Sequence, residues 1–154
     1  MKKIKIITLF LGALLLASCN DIKNAVNDAT SSDALAGTTV GTTCGSVVKT
    51  LYTQYKSAGK IDLTNSSTLL SVTELGPCVI SLTNNKNNSD YLTAFTKALV
   101  IGSSGVITSS NSNSFVNLLL SATSLSNITS SLTSNSTGST NIITDLTTLL
   151  DSLK

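Results

Sequence analysis

From residue 43 onward, apolar residues recur mostly at intervals of three and four, the period of a helix face. Val47, Val48, Leu51, Tyr52 and Tyr55 form the first stripe, and Gly59 stops it. Leu69, Leu70, Val72 and Leu75 predict a short helix that Gly76-Pro77 either ends or restarts. Cys78, Val79, Ile80 and Leu82 add an apolar turn or two before the polar loop NNKNN at 84–88. Ser89 reads as an N-cap, with Asp90 in the first turn where a negative charge suits the helix dipole. The stripe Tyr91, Leu92, Phe95, Ala98, Leu99 and Val100 follows, and Gly102 closes it. SSNSNS at 109–114 caps a helix that opens Phe115, Val116, Leu118, Leu119, Leu120 and runs on through Leu125, Ile128 and Leu132. The last element is an amphipathic helix from about Asn141 to Leu153, with Ile142, Ile143, Leu146, Leu149, Leu150 and Leu153 on one stripe. A core face is the expected use of that stripe, so this helix should dock on the rest of the domain.

The pattern predicts an all-α fold, a small bundle of about four to six helices over residues 43–154, with a polar linker near 133–140 before the terminal helix. Composition tempers this expectation. Ser, Thr and Asn make up 62 of the 154 residues, and all three are weak helix formers. A β-rich fold is the alternative. Strict apolar/polar alternation is scarce, however, and proline occurs once, so the helical reading leads.

Residues 19–42 look different. They are small, polar and acidic with few large apolar side chains, and such a segment buries too little surface to offset its ordering entropy. The expectation is a flexible tether. Gly37, Gly41 and Gly45 recur every fourth residue, which allows either a helix face for close backbone approach or a hinge; the hinge is the expected meaning.

The start of the chain has its own logic. Lys2, Lys3 and Lys5 precede an uncharged run from Ile6 to Ala17, the layout of a secretory signal peptide over residues 1–18. That run of 12 residues is shorter than the roughly 20 that a membrane-spanning helix needs. It closes on Leu16-Ala17-Ser18-Cys19, which resembles the lipobox of bacterial lipoproteins. The resemblance implies cleavage before Cys19 and attachment of acyl chains to that residue. Two or more chains hold a protein stably on a membrane, each buried CH₂ contributing about 0.8 kcal/mol. Asn20, not Asp, follows the cysteine directly. By the same resemblance, the expected address is the outer membrane of a Gram-negative envelope, in either leaflet.

Charge excludes several function classes. Without the signal, seven lysines face eight acids, a net charge of −1, so nothing draws this chain to nucleic acid. There is no His, which removes the commonest general base and every Ser-His or Cys-His arrangement. Glu74 is the only glutamate and the aspartates are scattered, so no carboxylate pair, metal site or cofactor site is expected and the chain reads as non-enzymatic. Cys44 and Cys78 remain after Cys19 is acylated, in a compartment where disulfides persist; a disulfide between them is the expected state, and two buried thiols are the alternative. Tyr52, Tyr55 and Tyr91 are the only tyrosines, candidates for a recognition patch or for the edge of the core. Asp151-Ser152-Leu153 resembles a short motif that is O-glycosylated in some bacterial envelope proteins.

The reading that follows is a lipid-anchored, non-enzymatic envelope lipoprotein. Its partners are the membrane, through its acyl chains, and another envelope protein. Two alternatives remain: a module holding a small apolar ligand beside Leu118–Leu120 and Leu146–Leu150, or an inhibitor or immunity-type protein acting through a rigid loop at 84–88 or 109–114.

Overall fold

The computed structural model describes residues 31–128 and 136–154. Among them the fold is all-α, a small bundle without strands. Six helices run in order: α1 Ser32–Ala58, α2 Ser66–Asn84, α3 Ser89–Gly102, α4 Ser112–Ser121, the single turn α5 Thr123–Ser126, and α6 Ser136–Asp151. Cys19 and the signal segment lie outside the described residues.

The central feature is the pairing of α1 with α3, which run parallel. Gly37 lies against the carbonyl of Tyr91, Gly41 against that of Phe95, and Gly45 against that of Leu99. Gly102 meets the carbonyl of Thr42 from the other side. A Cβ at any of these glycines would come closer than 3.0 Å to backbone atoms of the facing helix. Helix interior glycines cost about 1 kcal/mol each relative to alanine. What offsets that cost is contact between the backbones themselves, where dispersion and Cα–H···O contacts accumulate along three turns.

This pairing overturns the tether reading for residues 32–42. They are the first turns of α1, which begins at Ser32 and not near residue 43; the Ser31 side chain caps it, accepting from the Ala34 N–H at 3.1 Å. The argument from composition counted large apolar side chains. Here the buried surface is instead glycine backbone with Thr38 and Thr42, both buried. Helical glycine spacing, not a hinge, is what Gly37, Gly41 and Gly45 provide.

Threonine and serine are accommodated by a repeated local device. Thr39, Thr42, Thr43, Thr50 and Thr53 on α1 each donate to the carbonyl four residues back, at 2.9–3.1 Å. Ser71, Thr73, Thr96, Thr144 and Thr148 do the same on other helices. The hydroxyl that would compete with the helix is thereby turned onto it.

α2 lies antiparallel to α1, held by a disulfide between Cys44 and Cys78, whose Cα atoms are 5.8 Å apart. Both half-cystines are buried. The closed loop, with a sequence separation of 34, corresponds to roughly 3–4 kcal/mol on the chain-entropy account. The expectation of a helix end at Gly76-Pro77 is corrected: α2 continues through Pro77 to Asn84. Pro77 leaves the Thr73 carbonyl without its N–H partner, but both residues are exposed, so water can serve that carbonyl.

The helix expected to run from Phe115 through Leu132 stops at Ser121. Ala122 leaves helical geometry with ψ 71°, and a separate turn carries Leu125. Before α4, the buried Ser103 hydroxyl accepts from the Ile107 N–H at 3.0 Å. That contact holds a tight turn in which Ser104 and Gly105 take positive φ of 51° and 94°. The cap of α3 falls on Asn88, one residue before the expected Ser89, and accepts from the Tyr91 N–H. The polar linker near 133–140 is also corrected, because α6 begins at Ser136; residues 129–135 lie outside the described residues.

The core runs between α1, α2 and α3 and on under α4 to α6, with Leu51, Leu75, Leu82, Tyr91, Phe95, Leu99, Phe115 and Leu119 buried in it. Ile142, Leu146, Leu149 and Leu150 of α6 join the same cluster. The terminal helix is therefore docked, as its stripe requires.

Two predictions follow from the packing. Gly41→Ala is expected to destabilise the protein by about 1–3 kcal/mol through overpacking against backbone. Gly76→Ala, whose Cβ would find its nearest neighbour at 3.5 Å on Ile128, is expected to be neutral or stabilising; chemical denaturation of the two variants checks the contrast. Leu146→Ala and Leu150→Ala should each cost about 2–5 kcal/mol, and a melt unchanged from wild type for both would show that α6 adds nothing to the core.

Candidate functional site

The three tyrosines do not form one patch. Tyr91 sits at the level of Gly37 on α1, so it lies about 27 Å along the helix from Tyr55 by the rise per residue. It is buried, its ring stacks on Phe95 at 6.0 Å, and its hydroxyl meets Ser81 Oγ at 2.7 Å. Burial pushes its phenol up, with the Ser81 hydrogen bond opposing.

Tyr52 and Tyr55 instead hold the end of α6. Tyr55 donates from its hydroxyl to Asp151 Oδ1 at 2.7 Å, and Tyr52 donates to the Leu153 carbonyl at 3.4 Å. Lys154 Nζ is 2.7 Å from Asp151 Oδ1, donates to the Tyr55 hydroxyl at 3.3 Å, and lies 4.9 Å from that ring's centroid. Lys154 and then Tyr55 hold the Asp151 carboxyl below its ordinary value. Asp151 and then Tyr55 hold the Lys154 ammonium above its own. These groups are solvent-exposed, so the ion pair adds little stability. They form a latch between the C-terminal ends of α1 and α6, a local role for residues that the sequence offered as a recognition patch. Ser152, in the short glycosylation-like motif, is exposed and donates to the Leu149 carbonyl at 2.6 Å.

Two concavities stand out among the described residues. One is an open groove of about 800 Å³ along the outer side of α3. Its walls come from the start of α1 (Ala34, Thr38) and the start of α4 (Ser112, Asn113); its floor carries Ala94, Ala98 and Ile101, with Asp90 and Lys97 at the rim. The second is smaller and polar, lined by Thr123, Ser124, Asn127, Asn141, Thr144 and Asp145. There the Ser124 hydroxyl donates to Asp145 Oδ2 at 2.5 Å, joining α5 to α6. Neither is the enclosed apolar cavity beside Leu118–Leu120 and Leu146–Leu150 that a small-ligand module implies. The two loops proposed for an inhibitor are short and bonded to the residues just before them: Asn85 Nδ2 donates to the Ser81 carbonyl of α2, and the Thr108 N–H donates to Asn111 Oδ1.

Among the described residues, no group of three or more Cys, Asp or Glu side chains is placed to hold a metal ion. The groove is the feature that sequence reading missed. Its signal was present, since Ala94 and Ala98 lie one turn apart on α3 with Lys97 beside them, but the other wall comes from α1 and α4, distant in sequence.

Glu74 gives a test of the electrostatics. Desolvation in its partly buried position raises its carboxyl above the ordinary value. The folded state thus holds this proton more tightly than the unfolded one. The associated stability is fully present below the unfolded pKa and is lost as pH rises through the folded one. Glu74→Gln is therefore expected to raise the melting temperature at neutral pH and to leave it unchanged well below the carboxylate range; equal shifts at both pH values would contradict this account.

Compared with known protein families, with curated proteins and with solved structures, the chain matches none.

Proposed function

We propose that this protein is a lipid-anchored accessory of the bacterial cell envelope, joined to the outer membrane through acyl chains on Cys19 and acting by binding another envelope protein. The observation that carries the reading is Leu16-Ala17-Ser18-Cys19 closing a short uncharged run with a lysine head. Two or three acyl chains supply lasting attachment on their own, which suits a domain whose described helices include none long and apolar enough to cross a membrane.

The role is binding and not catalysis. Supporting this, the chain has no His and a single Glu, and the carboxylates at Asp145 and Asp151 are engaged in contacts between helices. The groove along α3 supports a protein partner over a small apolar ligand. It is open and mixes alanine and isoleucine with a carboxylate and an ammonium group, whereas small-molecule pockets enclose most of their ligand.

Two measurements test this. Intact-mass analysis of protein extracted from membranes should find an N-terminal Cys19 bearing acyl chains, and Cys19→Ser should move the protein to the soluble fraction. A wild-type protein that is soluble with a free Cys19 thiol would refute the anchor. A photo-crosslinking residue in place of Lys97 should join the protein to a second envelope protein in intact cells; uncrosslinked monomer throughout would remove the groove from the proposal and leave the anchor standing.

A further inference from the structure

We draw no further inference here: the strongest candidate, the outer face of α2 on which Leu70, Pro77 and Ile80 stand exposed in one stripe, is an unpartnered apolar surface and nothing in the structure shows what covers it.

Discussion

The structure depends on two helix backbones lying against each other without side chains between them. Gly37, Gly41 and Gly45 place α1 on the carbonyls of α3, and Gly102 returns the contact onto Thr42. With α1 and α3 this close, Cys44 and the Val47, Val48 and Leu51 stripe that continues α1 are carried into the same core as Phe95 and Leu99. The disulfide to Cys78 then fixes α2 on that pair. A methyl group on the glycine seam would push the helices apart, and every contact that relies on their spacing would loosen with them.

A chain this rich in hydroxyl groups is an unusual source of helices, and two compensations make it work. Threonine and serine side chains bond to carbonyls within their own helices, so few polar groups need partners elsewhere; the carbonyl oxygen of Gln54 is the one buried side-chain polar atom left without a hydrogen bond among the described residues. The apolar residues, although a minority, fall on stripes that converge. The cost of weak propensity, a few tenths of a kcal/mol per residue, is spread thinly, while each buried leucine contributes about 1.5–3 kcal/mol at one place.

The same economy shapes the surface. The charged groups seen in contact serve local ends, such as the Asp151–Lys154 pair that ties α6 to Tyr55 and the Asp62 carboxylate that accepts from Thr64. What remains open is a groove along α3 and the apolar stripe of Leu70, Pro77 and Ile80 on α2. Both suit the proposed role of contact with a neighbour at a membrane, where anchoring to one surface raises the effective concentration of partners.

The sequence by itself determined the helical class, the stripes at Val47–Tyr55, Tyr91–Val100 and Ile142–Leu153, the stop at Gly59 and the docking of the last helix. Each rests on local periodicity or on the φ tolerance of one residue, and local rules are legible in one dimension. The sequence also held the candidate anchor at Cys19 as a contiguous motif. Only the tertiary structure decided that residues 32–42 are helix and not tether, because glycine and threonine disfavour helix locally and become helical when another backbone lies against them. Only it decided that α2 passes through Pro77, that Tyr91 stands apart from Tyr52 and Tyr55, and that α1, α3 and α4 enclose a groove. Those outcomes depend on which residues meet across tens of positions, and pairing at that range is settled by packing, which the spacing of small residues permits but does not choose.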